Sequence, residues 1–411
     1  MVNLLWFKRK MLLLASLLFS WWASPAQPAN TSFRKDTLKK TEIELLYSHY
    51  LQDGNNSAVT GGIGTEKLTV YAIQTKLNRR FKKGNSLQIQ LGTDIISSAS
   101  TDNIDAVVSS ASQLDARSYL NTDYSWSTKN EQWQMSAGTG ISVESDYLSF
   151  PFRASTAYTT KDQLRTYSLG LQFYYDDLRW GRIDKDHYRP VGLIYPVELR
   201  GPQWFEGYLR RSFNIKTGFT QVINKRLIIG LFPEWTYQSG ELATPFHRVY
   251  FNDETLRVEK LPNRRIKMAL GLKANAFVGG STVLKNGLSF YRDDFGVFGF
   301  TVEQESNFKL NYLWSIAPFI RFYHQQGSKY FAPFQEHLPS APFYTSDYDL
   351  STFNSYKVGL GFRYAPGHYL NKRLAFNELN LRYSFFYRSN ELQAHIISLQ
   401  FAGVFYQKGK K

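Results

Sequence analysis

Apolar and polar side chains alternate along most of this chain. Between Arg165 and Tyr175, the residues Tyr167, Leu169, Leu171, Phe173 and Tyr175 share one side of an extended backbone. Thr166, Ser168, Gly170, Gln172 and Tyr174 take the other. A period of two marks a β-strand with one apolar and one polar face. Leu87, Ile89, Leu91 and Ile95 oppose Gln88, Gln90 and Asp94 in the same way. Ile266, Met268, Leu270 and Leu272 oppose Lys267, Gly271, Lys273 and Asn275. Tyr356, Val358, Leu360, Phe362 and Tyr364 oppose Lys357, Gly359, Gly361 and Arg363, and Ile397, Leu399, Phe401 and Phe405 oppose Ser398 and Gln400. The pattern predicts about sixteen strands, with fourteen as the alternative. They start near Thr41, Thr69, Ser86, Ser118, Gln132, Phe150, Arg165, Trp204, Leu227, Asn263, Thr282, Val297, Tyr312, Ser355, Ala375 and Ala394.

The connectors alternate in length. Short turns are expected at 82–85, 128–131, 161–164, 224–226 and 279–281, and long loops at 53–68, 99–117, 176–203, 240–262 and 325–354. Membrane barrels place short turns on the periplasmic side and long loops outside. The fold expected is therefore all-β: a transmembrane antiparallel up-and-down β-barrel in the outer membrane of a Gram-negative bacterium, with both termini periplasmic.

The first residues read as an export signal. Lys8, Arg9 and Lys10 form a positive segment, residues 11–23 are apolar, and Ser24-Pro25-Ala26 offers small residues for cleavage after Ala26, with Ala29 as second choice. The organisation expected is a signal peptide over 1–26, a short periplasmic leader over 27–40, a barrel over 41–406 and a basic tail over 407–411. No later segment holds eighteen consecutive apolar residues, so helices do not supply the spans. Barrels often end on an aromatic residue read by assembly machinery; here Phe405-Tyr406 is followed by Gln-Lys-Gly-Lys-Lys.

Composition agrees. Aromatics make up 16% of the 411 residues while mean hydropathy stays at −0.37, which suits strands that face lipid on one side and water on the other. Cysteine is absent, so disulfides and a lipid-modified cysteine are both excluded. The net charge of +15 would ordinarily suggest nucleic acid, but export argues against that partner and leaves membrane lipid as the expected one. Charge also sorts by side. Lys82, Lys83, Lys129, Lys161, Lys225, Arg226, Lys372, Arg373 and the tail fall at expected periplasmic ends. Asp53, Asp102, Asp105, Asp146, Asp176, Asp177, Asp184, Asp186, Asp253, Glu254, Asp293, Asp294, Asp347 and Asp349 fall at expected outer loops.

Basic residues crowd the inward face: Lys76, Arg210, Lys216, Lys267, Lys273, Arg321, Lys357, Arg363 and Arg382, against fewer acids in Asp94, Glu206, Glu303, Glu305 and Glu378. Unpaired charges are costly in a dry interior, so the lumen is either wet and anion-favouring or crossed by an ion-pair network. The alternation places Arg211 toward lipid, which requires an interfacial position or a bulge. The neutral inward half of 165–175 makes the basic lumen uneven, its charge carried mostly by strands from Trp204 onward.

Three loop clusters offer oxygen ligands that would suit a hard divalent cation such as calcium: Asp53, Asn55 and Asn56; Asp102, Asn103 and Asp105; Asp347 and Asp349. None has EF-hand spacing, and turn chemistry accounts for most of such residues without metal. No other cofactor is expected. The histidines, at 49, 187, 247, 324, 337, 368 and 395, are scattered, and no metalloprotease, nucleophile-elbow or phosphate-loop motif occurs. An enzyme is not expected.

Several strings resemble the bacterial domain of unknown function 3570. They are Leu51-Gln-Asp-Gly-Asn-Asn-Ser-Ala-Val-Thr-Gly-Gly-Ile-Gly-Thr-Glu66, Thr93 to Asp105, Val108-Ser-Ser-Ala-Ser112, Thr244-Pro-Phe-His-Arg-Val-Tyr250, Tyr291-Arg-Asp-Asp-Phe-Gly296 and Thr345-Ser-Asp-Tyr-Asp-Leu-Ser351. The likeness runs in order through nearly all of the chain beyond the signal. It implies an exported outer-membrane barrel of unassigned function and supplies no catalytic residues. Genes of that family often neighbour a flavin transferase, a small lipoprotein and a thioredoxin-like protein, which implies periplasmic or lipoprotein partners of an exported flavin/redox system. The leading expectation is a channel or membrane scaffold for an exported multiprotein system. The alternatives are a loop-plugged structural or binding barrel beside that redox system, and an outer-membrane hydrolase.

Overall fold

The computed structural model describes residues 40–81, 84–98, 114–144, 147–178, 209–244, 247–370 and 373–406. The expected signal peptide and tail lie outside these, as do the leader up to residue 39 and Lys82, Lys83, Asp102, Asn103, Asp105, Asp146, Asp184, Asp186, His187, Glu206 and Lys372. The strands are β1 (Lys40–Asp53), β2 (Leu68–Arg80), β3 (Ser86–Ser98), β4 (Leu114–Ser127), β5 (Trp133–Glu144), β6 (Tyr147–Thr159), β7 (Arg165–Asp177), β8 (Leu209–Asn224), β9 (Leu227–Gly240), β10 (Arg248–Tyr250), β11 (Leu256–Val258), β12 (Arg264–Val278), β13 (Thr282–Asp293), β14 (Phe298–Lys309), β15 (Trp314–Gln326), β16 (Phe353–Tyr364), β17 (His368–Tyr369), β18 (Leu374–Arg388) and β19 (Leu392–Tyr406).

Seventeen of these form one sheet, and β10 and β11 make a separate hairpin. The two-residue β17 is a short rung beside β18; the other sixteen strands each pair antiparallel with both neighbours. Pairing of β1 with both β2 and β19 closes the ring. Closure gives each strand two partners and leaves no edge, which is what a sheet needs to survive in hydrocarbon.

Expected and observed strand starts agree within two residues at all but three positions. β4 begins at Leu114 rather than Ser118, β6 at Tyr147 rather than Phe150, and β8 at Leu209 rather than Trp204. In β6 the hydrophobic rhythm is masked by Ser149 and Pro151, yet Leu148 and Ser149 still pair with Val143 and Ser142. The expected start at Trp204 lies outside the described residues. Several turns on the long-loop side are tight, at 294–297 and 389–391, so loop length alternates less regularly than expected.

The faces fall as the alternation predicts. Ile73 is 59% exposed, Met268 58%, Ile320 52% and Phe152 51%, all on the outside of the ring. Tyr167, Leu169, Leu171 and Phe173 stand beside them. So large an exposed apolar surface is stable only against lipid. Near the short-turn rim, aromatic pairs follow the circumference: Trp133 with Tyr158, Tyr167 with Phe219 and Trp314 with Tyr364. Amphipathic rings of this kind sit at a membrane interface. Lys40 pairs with Tyr406, so the first and last strands end together at that rim.

A buried hydrophobic cluster lies outside the barrel wall, in the loops of the opposite rim. Val249 and Phe251 are fully buried and pack on Tyr344 and Ala341. Residues 54–67, 241–244, 247–263 and 327–352 thus form a structured cap.

Candidate functional site

The register places all nine expected basic residues on the inward face. Five have carboxylate partners. Lys76 lies 3.9 Å from Glu44, Arg210 3.0 Å from Asp176, Lys216 3.5 Å from Glu234, Arg363 2.5 Å from Glu378 and Arg382 2.7 Å from Glu305. No ion pair within 4.0 Å joins Lys267, Lys273, Arg321 or Lys357 to an acid among the described residues. Of the expected inward acids, Glu305 and Glu378 are thus engaged. Arg211 is the third residue of β8, exposed and near the cap rim, where it pairs in register with Tyr175 and Ser239. It occupies the interfacial position that its outward direction requires.

The ion pairs do not dry the lumen. The Arg363 side chain keeps 53% of its surface exposed and Lys285 51%. Packed interiors do not leave charged groups so open, so these side chains line a solvent-accessible inner wall. Aromatic side chains lie flat on this wall where glycine makes room. A Cβ on Gly359 would stand 2.4 Å from Phe319, and Arg382 stacks on that ring at 4.5 Å. Lys273 stands 5.7 Å over Phe232, which covers Gly230 and Gly271. Across β12 to β18 the wall holds a recess of about 410 Å³. Lys273, Lys285, Arg321, Lys357 and Arg382 meet only Glu303 and Glu305 there. The facing sector is balanced: Arg153 donates two hydrogen bonds of 3.0 Å to Asp123 and one of 2.9 Å to Asn121. Lys285 joins the basic residues of this recess. The alternation would have found it, because Lys285 pairs with the inward Asn275.

The cap crosses the mouth from opposite sides of the ring. Lys260 and Tyr344 bridge the 241–263 and 327–352 loops. The 54–67 loop docks on both through two glycines. Gly61 and Gly62 have φ of 83° and 89°, a region that side chains disfavour. A Cβ would stand 2.6 Å from Tyr250 at Gly61 and 2.8 Å from the Ser346 carbonyl at Gly62. The cap also grips the inner wall. Gln325 donates to the carbonyls of Asp349 and Ser351, and Arg388 pairs with Asp349 at 2.5 Å while donating to the Tyr348 carbonyl.

The cap redistributes the oxygen-rich residues of the sequence. The Asn55 and Asn56 amides donate to Glu391 and to the Asn390 carbonyl, and Asp349 is engaged by Arg388. Asp53 ends β1. Asp347 instead meets two residues that sequence spacing does not connect to it. His247 Nδ1 lies 3.8 Å from Asp347 Oδ2 and 3.6 Å from Glu259 Oε1. Glu259 is buried and accepts from Thr345 Oγ1 at 2.5 Å and from the Thr244 N–H at 2.6 Å. Burial opposes charge on the imidazole, but Glu259 and then Asp347 overcome it and push the His247 pKa up. Burial raises that of Asp347, with His247 opposing. Burial, then Asp349, pushes Glu66 up to about 7.

Hydrogen bonds of the other described histidines lead to Asn354 from His324, Tyr383 from His395 and the Thr345 carbonyl from His337. No described histidine hydrogen-bonds a serine hydroxyl, so the triad that a hydrolase would need is not assembled among these residues.

A family model described as "Protein of unknown function (DUF3570)" matches residues 106–380. No curated protein matches by sequence. Among solved structures, a bacterial polysaccharide outer membrane secretin aligns at 10% identity and a TM-score of 0.45, over 90% of this chain and 99% of that one. OccK7 (OpdD) of Pseudomonas aeruginosa aligns at 9% identity and 0.43, over 90% and 99%. A mutant of the monoaromatic hydrocarbon channel TodX aligns at 10% identity and 0.42, over 93% of each.

Proposed function

The chain belongs to the DUF3570 family of proteins of unknown function, and on that premise we propose that it is an outer-membrane channel with an anion-favouring lumen and a mouth covered by its own loops. One observation carries this reading: five basic side chains face two carboxylates across a solvent-open wall. Barrels of sixteen strands are wide enough to leave an aqueous passage, and excess Lys and Arg on a pore wall favours anions. In this reading residues 1–26 direct export, the rim holding Lys40 and Tyr406 faces the periplasm, and the cap faces outward. A periplasmic or lipoprotein partner would meet the short turns, where Lys129, Lys161, Lys225 and Arg226 are exposed.

The test is the reversal potential of the folded protein in a planar bilayer under a potassium chloride gradient. Wild type is expected to favour chloride. Lys273→Glu with Lys357→Glu is expected to shift selectivity toward potassium, because neither lysine has an acid partner among the described residues. Arg363 is a poorer choice, since Glu378 already neutralises it. Unchanged selectivity in the double variant would refute the basic wall as the selective element.

A further inference from the structure

We propose that His247, Glu259 and Asp347 form a binding site for a divalent transition cation such as zinc, which joins two loops of the cap. The three side chains offer one imidazole nitrogen and two carboxylate oxygens within 4.8 Å of one another. His247 Nδ1 is 3.6 Å from one oxygen and 3.8 Å from the other. With the third edge no longer than 4.8 Å, the centre of that triangle lies about 1.9–2.4 Å from each corner, a span that includes zinc–nitrogen and zinc–oxygen bond lengths.

A second observation separates this cluster from a chance group of acids. Nδ1 of His247 is shielded from solvent and has no hydrogen-bond partner. A fifth of the imidazole side chain stays accessible, leaving an approach for the ion and for water to complete its shell. Glu259 is positioned by Thr345 Oγ1 and the Thr244 N–H, and Asp347 by the Asp349 N–H on its other oxygen. Outer hydrogen bonds of this kind orient carboxylate ligands. The imidazole nitrogen favours zinc-like ions over calcium or magnesium, which prefer all-oxygen shells.

Position gives the ion a task. His247 and Glu259 flank the β10–β11 hairpin in the 241–263 loop, and Asp347 belongs to the 327–352 loop. One bound ion would tie loops that rise from different sectors of the barrel wall. This site stands whether or not the lumen conducts.

The test is calorimetric titration of zinc chloride, and separately calcium chloride, into chelator-stripped, folded, untagged protein. One zinc per chain is expected, with calcium binding weaker. His247→Gln and Asp347→Asn are each expected to weaken zinc by about ten-fold or more. Asp347→Asn keeps the oxygen that accepts from Asp349, so the cap should fold in at least that variant. Hydrogen exchange is the second readout: zinc should slow exchange in 241–263 and 327–352 of wild type and in neither variant. X-ray absorption of the zinc complex should show one imidazole nitrogen. No zinc binding, equal binding by wild type and both variants, or a zinc shell without imidazole would each overturn the proposal.

Discussion

Glu305 stands between Lys285 at 2.9 Å and Arg382 at 2.7 Å on the lumen wall. Half-exposed ion pairs contribute little to stability, so its main effect is on local charge. Glu305→Gln should leave both cations without their shared acid and raise the chloride-to-potassium permeability ratio, with little change in folded yield; a fall in that ratio would contradict the inward register. Turn residues show a different constraint. Glu131 and Gln163 have φ of 58°, each in a five-residue turn opened by a threonine whose hydroxyl bonds the turn. Glycine is the usual occupant of such positions. Glu131→Gly should stabilise the barrel by about 0.5–1 kcal/mol, net of its added freedom when unfolded. Urea unfolding in lipid vesicles measures this, and a loss of stability would show that the Glu131 side chain supports the turn.

At the scale of elements, the cap and the staves depend on different forces. Each stave is held by ladder hydrogen bonds on both sides, whereas the cap rests on a small core around Phe251. Phe251→Ala should remove about 3–5 kcal/mol of packing. Hydrogen exchange should then quicken across 247–263 and 330–350 while β1–β9 stay protected; loosening of the staves as well would mean that cap and wall fold as one unit. Glu66 adds a pH dependence. It faces Asp347 and Asp349 from the 327–352 loop, Arg388 from β18, and Tyr50 and Gln52 from β1. Its folded pKa is raised to about 7, so the folded cap holds a proton that the opened loop releases. Stability of the 54–67 loop should therefore fall as pH rises from the ordinary glutamate range and level off above about 7. Glu66→Gln should flatten that profile in exchange rates corrected for intrinsic chemistry. A wild-type profile that rises instead would contradict the burial of this carboxyl.

For the whole molecule, strand periodicity was legible because it is local. Backbone geometry sends neighbouring side chains to opposite faces, so Tyr167, Leu169 and Leu171 announce a lipid face without knowledge of their partners. The inward placement of residues such as Lys273 and Lys357 is legible for the same reason. The ion pairs are not, because Lys216 meets Glu234 and Arg382 meets Glu305 only once register is known. The cap was least legible. Thr345 and Glu259 are 86 residues apart, and the meeting of His247 with Asp347 depends on loops without periodicity. From sequence, Asp347 is an evident oxygen donor, while His247 is one scattered histidine among seven.

A closed barrel with an unbalanced basic wall should conduct, and this wall should select for anions. Reversal-potential measurement on the folded protein, with Lys273→Glu and Lys357→Glu combined, tests it most directly. Wild type should prefer chloride, and the double variant should shift toward potassium. Absence of current from folded wild-type protein, or identical selectivity in the two proteins, would contradict it.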